Sequence, residues 1–431
     1  MALRPGYKET EVGVIPEDWK VERLGGLAEF VTSGSRGWAR FYTKSGALFI
    51  RSQNVRDGRL NFEDVQYVSP PTGAEGNRTK VVLNDLLITI TGNSVGNVAM
   101  VDRAFDEAYI SQHVGLVRLR DPAAAGYICR YLAPNSPGNP QIAGSQSGQS
   151  KPGLNLQNLR DFLIAVPPTA KELHAIEEVL RDVDALLSGL DGLIAKTRDL
   201  KQAAMQQLLT GQTRLSGFSG EWKFVRLGDH VTFLRNGVNS RAELLPEGSV
   251  RYLHYGDIHA SGATHLAARD LPFLPSTKAS RLDRLRDGDL ILADASEDLE
   301  GVSKSVEMRD IGDSVEVVSG LHTIAARFDK ATLADGFKGF LQYIPMFAAH
   351  LRRLAAGTKV YATNRAHVAS AEIPLPSTNE QRAIAKVLSD MDAELAALEA
   401  RRDKTRNLKQ AMMQELLTGK TRLVPTGGAR V

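Results

Sequence analysis

Four groups of residues in this 431-residue chain have side chains that could do chemistry, and each lacks a companion that the chemistry needs. Gly419-Lys420-Thr421 ends like a phosphate-binding loop. Such a loop cradles phosphate when it opens a helix after an earlier glycine; here a helical pattern precedes it and the upstream glycine is missing. His254, His259 and His265 form the densest histidine group, but no cysteine or carboxylate at metal-ligand spacing supports them, so they read as groove-facing or surface residues. Asp294, Glu297, Asp298 and Glu300 gather carboxylates without the lysine of a metal-dependent nuclease and read as a solvated loop. Val166-Pro167-Pro168-Thr169 has the double proline of a methyltransferase motif but neither its polar leader nor its aromatic, and no glycine-rich cofactor loop is present. The expectation is a chain that is not an enzyme and holds no metal.

Repetition carries more information than any of these clusters. Residues 196–215 read KTRDLKQAAMQQLLTGQTRL and residues 404–423 read KTRNLKQAMMQELLTGKTRL, 16 of 20 positions being identical at a constant offset of 208. The match runs back more weakly to Pro168 and Pro376. Solenoid and propeller repeats are several-fold shorter. This duplication predicts one polypeptide imitating a two-fold dimer, which engages its target at two related places.

The repeated segments read as helices. Thr169 with Glu172, and Ser377 with Glu380, are capping boxes, in which hydroxyl and carboxylate satisfy orphan amides at a helix start. Leu173, Ile176, Leu180, Val183, Leu187, Leu190 and Ile194 then follow in steps of three and four, as do Ile384, Leu388, Met391, Leu395 and Leu398. That spacing makes a narrow apolar seam suited to a partner helix, so the two seams are expected to pack on each other, antiparallel. Gly211 and Gly419 stand as left-handed C-caps, giving helices of about 40 residues and roughly 60 Å. Gly189 and Gly192 would each cost about 1 kcal/mol relative to alanine. Their counterparts Ala397 and Ala400 are also small, which predicts close helix approach, while Arg402 replaces Ile194 and weakens the second seam.

Between the helices lie two stretches of mixed α/β (α+β) character. Residues 48–55, 85–92 and 114–119 read as strands in the first, and 250–258, 289–295 and 322–328 in the second, from their β-branched content and Gly/Asn/Asp punctuation. Both open alike, Trp19-Lys20 with Arg23-Leu24-Gly25 and Trp222-Lys223 with Arg226-Leu227-Gly228, and then diverge. The frame is constant and the heads differ. Hydrophobic content of 42% and charged content of 24% suit a soluble protein of two or three domains. The single cysteine, Cys129, excludes an intrachain disulfide and suits a reducing compartment. No stretch has signal-peptide or membrane-spanning character, so a cytoplasmic protein without a membrane partner is expected. A net charge of +3 is too small to announce nucleic acid, and any phosphate-binding field must come from local clusters. Arginine outnumbers lysine 35 to 18, which suits guanine and phosphate reading but also follows from a GC-rich genome.

The opening YKETEVGVIPEDWKVERLG, the helix starts PPTAKELHAI and PSTNEQRAI, and both LKQAxMQxLLTGxTRL endings resemble the DNA-specificity (S) subunits of type I restriction-modification systems along essentially the whole chain. The resemblance implies a first target recognition domain with N-terminal arm (residues 1–166), a central conserved helix (167–215), a second target recognition domain (216–375) and a C-terminal conserved helix and tail (376–431). It implies two heads held apart by two long antiparallel coiled-coil helices, each head reading half of a bipartite site in double-stranded DNA. The implied partners are two methyltransferase subunits, with restriction subunits joining through that core. S-adenosylmethionine, ATP and Mg2+ are expected on those partners, with no cofactor bound by this chain. One departure stands out: the family's Glu-Gln pair is present as Glu380-Gln381, but the first copy has Glu172-Leu173, so a glutamine contact is expected only at Gln381. A system that only methylates, and a coiled-coil scaffold with protein-binding heads, are the alternative readings.

Reading bases needs Arg, Lys, Asn, Gln, Ser and Thr on loops or helix ends. In the first head the candidates are Ser33, Ser35, Arg36, Arg40, Arg51, Gln53, Asn54, Arg56, Arg78, Lys80, Asn93, Gln146, Gln149 and Lys151. In the second they are Arg235, Asn236, Asn239, Arg241, His254, Tyr255, Lys278, Arg281, Lys304, Lys359, Tyr361, Asn364 and Arg365. Unlike readers in the two heads predict an asymmetric target.

Overall fold

The computed structural model describes residues 4–56, 58–71, 73–146, 153–312 and 315–424. Gln149 and Lys151 lie outside the described residues. Two unbroken helices of 39 residues, Ala170–Leu208 and Thr378–Leu416, stand where the repeat places them. The chain divides into two compact units, Met1–Asp191 with Ala400–Val431, and Gly192–Glu399. Each unit therefore holds one head and part of each long helix, a division that cuts through the helices. No helix among the described residues is long and apolar enough to cross a membrane.

In the first unit a four-stranded antiparallel sheet has the order Val98–Met100, Leu86–Thr89, Val114–Leu119, Ala28–Ser33. A second sheet pairs Ala47–Ile50 in parallel with Ala108–Ile110. In the second unit a five-stranded sheet runs Val231–Phe233, Thr323–Phe328, Leu290–Ala293, Ser305–Arg309, His265–Ala267. Beside it Val250–Leu253 pairs in parallel with Glu316–Ser319. The diverged heads thus keep one plan. Each sheet is also braced alike, by Arg118 on Asp85 in the first unit and Arg327 on Asp289 in the second, with carboxylate side chains only 1% and 2% exposed. Each pair makes two charge-assisted bonds, so neither buried carboxylate is left uncompensated.

Two predicted strands end early. Residues 48–55 form Ala47–Ile50 and then a 3-10 turn, Ser52–Asn54, because the Asn54 side chain accepts from the Arg51 amide. Residues 250–258 form Val250–Leu253 and then a helix, Tyr255–Ala260, capped by His254. Strand propensity does not register such side-chain bonds to the backbone.

The shared opening motif works as a clip. Lys20–Arg23 pairs antiparallel with Leu163–Val166, and Lys223–Arg226 with Glu372–Leu375, the strand just before each long helix. Leu24 and Leu227 are fully buried. The glycine after each is forced by close approach: a β-carbon on Gly25 would lie 2.9 Å from Arg160, and on Gly228 2.7 Å from the Ala369 carbonyl.

The apolar seams do more than pair helices. Leu173, Ile176 and Leu180 enter the first head's core, joined there by Met413 and Leu416 of the other helix and by Leu417 just beyond its end. Ile384 and Leu388 enter the second head's core with Leu208 and Leu209. Leu187 and Leu190 are buried, whereas Val183, Met391, Leu395 and Leu398 are half-buried. Antiparallel pairing shows within each unit as an ion pair, Asp184 with Lys409 at 2.7 Å in the first and Asp392 with Lys201 in the second. Asp184 and Asp392, like Lys201 and Lys409, are repeat equivalents. The glycine expectation fails: a β-carbon on Gly189 or Gly192 would meet nothing within 4 Å, so neither serves a close approach.

The helix starts differ from a capping box in one half. The Thr169 and Ser377 hydroxyls accept from the Glu172 and Glu380 amides, at 3.3 and 3.4 Å. Both carboxylates, however, turn away from the cap: Glu172 is held by Arg422 and Glu380 by Arg214. Gln381 makes the contact expected of it alone, accepting from the Ala334 amide and donating to the carbonyls of Thr332 and Pro376.

Candidate nucleic-acid interface

Strand register decides which candidates meet. In the first head Ser33 lies opposite Gly115 and Thr89 opposite Val114, so loops 33–37, 90–97 and 111–113 leave the sheet at one end. Gly34 sits so close to Ser111 that a β-carbon would fall 2.2 Å from its carbonyl carbon. Gln146 joins beside Gly96. Arg78 organises this end, donating to the Thr32 hydroxyl, the Ser33 carbonyl at 2.8 Å and the Ser35 hydroxyl at 2.7 Å. Exposed Arg36 and Asn93 stand there with no side-chain hydrogen bond or ion pair among the described residues.

The second head repeats the arrangement with other residues. Phe233 lies opposite Ala326 and Ala293 opposite Thr323, which sends loops 234–239, 294–304 and 320–322 out of one end. Ala295–Ser296 pairs with Tyr361–Ala362, and Arg365 donates to the Leu234 carbonyl at 2.6 Å and Asn236 Oδ1 at 3.0 Å. Arg235, Asn236, Lys304, Asn364 and Arg365 therefore share this end. Arg235 pairs with Asp283 at 2.9 Å, and its guanidinium holds that carboxyl below the usual range.

Several candidates have structural work instead. Asn54 is 3% exposed and spends its amide on Arg51, Asn61 and Asp64. Arg51 and Gln53 both bind Asp64, and Arg56 donates to the Gln53 carbonyl. Asn239 donates to Glu243, whose carboxyl is held down to about 2, chiefly by Lys278 and then by the Ser240 amide and Asn239. Arg241 is tied to Asp257 at 2.5 Å. His254 accepts from the Gly256 amide, and burial lowers its pKa. Tyr361 packs on the second head's core, and Asn364 caps the helix Arg365–Ala369. Arg40 lies over the Phe41 ring, and Lys80, Arg281 and Lys359 are exposed with no side-chain partner among the described residues.

Two residues at the sheet ends were not among the candidates. His113 precedes the interior strand Val114–Leu119, and His322 precedes its counterpart Thr323–Phe328. His113 Nδ1 meets the Thr91 hydroxyl, and His322 Nδ1 lies 3.1 Å from Asp294. The matching signal is a histidine directly before an interior strand in both heads, at an offset of 209 instead of 208. Among the described residues no group of three or more His, Cys, Asp or Glu is placed to hold a metal ion.

No family model matches the sequence. Individual proteins do. The MjaVIII type I restriction enzyme specificity subunit of Methanocaldococcus jannaschii is 21% identical over 436 residues, covering 97% of this chain and 96% of its own length. A sequence from the same organism named for the MjaX specificity subunit is 23% identical over 447 residues, with 97% of each chain covered. The chain is a homologue of type I restriction enzyme specificity subunits. Among solved structures, the type I restriction-modification S subunit from M. genitalium superimposes with a TM-score of 0.59 at 14% identity, over 96% of this chain and 98% of that one. A chain from a structure of type I restriction-modification complex assembly gives 0.54 at 17% identity, over 94% and 99%. At those identities the likeness is one of fold, and it is the fold of the specificity subunits: mixed α/β heads and long helices.

Proposed function

We propose that this chain is the sequence-reading subunit of a type I restriction-modification complex, each head recognising one half of an asymmetric bipartite site in double-stranded DNA. The observation that carries the reading is the contrast between frame and heads. The crossed pairs Arg422–Glu172 and Arg214–Glu380 are equivalent to the residue, whereas the loops at the two sheet ends share a plan and almost none of their polar side chains. A duplicated frame suits two copies of one partner, and unlike loops suit two different half-sites. Arg36, Arg235 and Arg365 carry donors that fit phosphate or guanine, and Asn93 carries an amide that fits adenine.

In this reading the repeated helix endings dock two methyltransferase subunits, through which restriction subunits join. S-adenosylmethionine, ATP and Mg2+ belong to those partners, and this chain directs their adenine methylation and cleavage without catalysing either. The test is methylome sequencing of a methylation-free host expressing the chain with its modification partner. A two-part asymmetric motif is the expected result; absence of any methylated motif, with the complex intact, refutes the proposal.

A further inference from the structure

We infer that His113 and His322 are paired specificity-determining positions, one in each head: His322 places an imidazole edge against a base, and His113 positions the neighbouring Gln112 amide against one; the inference rests on the DNA-reading proposal above. Three observations converge. The first is position. Each histidine is the last residue before the strand that lies next to one edge strand of its sheet, on the loop that emerges between the candidate loops on either side. The heads have diverged around both, yet the residue type is the same.

The second is orientation. Each ring is held through Nδ1 by the loop that follows the neighbouring antiparallel strand, and the group that holds it differs. Thr91 supplies a hydroxyl in the first head and Asp294 a carboxylate at 3.1 Å in the second. Anchoring Nδ1 fixes the plane of the ring and the direction of Nε2. In the first head the half-buried Gln112 donates its side-chain N–H to Nε2 of the exposed His113 at 3.1 Å. With both ring nitrogens engaged, His113 holds the Gln112 amide, whose carbonyl oxygen and remaining N–H present acceptor and donor side by side, the pattern that matches the N6 and N7 edge of adenine. In the second head Leu321 replaces that glutamine, and the ring is instead flanked by Tyr255, edge-on at 5.4 Å between centroids. The His322 side chain is 50% exposed.

The third is strain. His322 has φ +56°, in the left-handed region where a turn with only a geometric task is better served by glycine. A residue kept there against that preference points to a use for its side chain. The two histidines therefore set different groups at equivalent places, an amide in the first head and an imidazole in the second, as unlike half-sites require.

The experiment uses the chain assembled with its modification partner and compares wild type with His113→Ala and His322→Ala. Methylome sequencing is combined with DNA competition at a stated salt concentration, using sites permuted base by base. Each variant should lose about tenfold in discrimination at one or two positions of a single half-site, a different half-site for each, with the other unchanged. His113→Asn and His322→Asn, the latter tolerant of the left-handed backbone, repeat the test if an alanine variant does not fold. Three outcomes overturn the inference: unchanged discrimination in both variants, a loss uniform across sequences as for a phosphate contact, or both half-sites altered together. If wild type itself shows no sequence selectivity, the DNA-reading proposal fails first and this inference with it.

Discussion

Arg422 closes on the carboxylate of Glu172 across 250 residues of sequence, with Nη2 at 2.7 Å from Oε2 and a second bond through Nε. The same guanidinium reaches Asp18 and lies over the Trp19 ring, so the segment just after the second long helix is bound both to the start of the first long helix and to the opening of the first head. Glu172 is 1% exposed, and removing its partner leaves a buried charge uncompensated. Arg422→Ala should lower stability by on the order of 2 kcal/mol, less than for a fully buried pair because the arginine keeps some solvent. Urea unfolding of Arg422→Ala, Glu172→Gln and the double variant checks this: the double variant should lose less than the sum of the singles, and simple additivity would show that the pair is not coupled.

The two C-cap glycines make a graded pair. Gly211 has φ +71° and Gly419 φ +66°, so alanine at either incurs the left-handed penalty of about 1–2 kcal/mol. At Gly211 the nearest atoms to a new β-carbon lie 3.3 Å away on Trp222, whereas at Gly419 Pro16 is at 2.6 Å. Overpacking adds to the second case, giving roughly 3 kcal/mol in total. Thermal unfolding should rank Gly419→Ala as the more damaging; equal losses would mean that backbone conformation alone decides.

His265 gives the second unit an acid-sensitive point. Burial, then the nearby charges of Arg309 and Lys201, push its pKa from 6.5 down to about 4, and its ring stands edge-on against Phe340. Its stabilising effect is whole above pH 6.5. As pH falls toward 4 the unfolded chain takes a proton that the folded one refuses, and stability declines across that window. Between pH 7 and pH 5 wild type should lose on the order of 1–2 kcal/mol more than His265→Gln. Parallel urea titrations at the two pH values measure the difference, and identical losses would remove His265 as the cause.

Under the proposed function, helix length sets the gap between half-sites. One helical turn inserted after Asp191 and one after Glu399 leaves the ion pairs Asp184–Lys409 and Asp392–Lys201 untouched within their units. Methylation mapping should show a changed spacer with both half-motifs intact. Altered half-motifs with an unchanged spacer would contradict the assignment of reading to the heads and spacing to the helices.

Legibility in the sequence followed the range of the interaction. The long helices were readable because spacing, hydroxyl caps and terminal glycines are local signals. The partners of Glu172 and Glu380 were not, because Arg422 and Arg214 lie 250 and 166 residues away and nothing local marks them. The end of the strand at Ile50 was hidden because Asn54 folds its amide back on the chain. Candidate readers were recognised by residue type, which does not separate Arg36, exposed and unpaired among the described residues, from Arg78, spent on fastening its own loop. His113 lay outside the residue types expected to read bases, and His322 was read as the first residue of the strand 322–328.

The division of the chain into compact units has a consequence for its synthesis. Gly192–Glu399 is contiguous, whereas the unit built around the N-terminal head also needs Ala400–Val431. Met413, Leu416 and Leu417 belong to that head's core, and Gly419 closes over Pro16 and Trp19. On the ribosome the second head has all its residues while the first still waits, so the part made first is finished last. Until the final turn of the second long helix emerges, Ile15, Trp19 and Leu173 lack their cover, and a chain truncated shortly before Met413 would present that apolar surface to every chaperone and protease it meets.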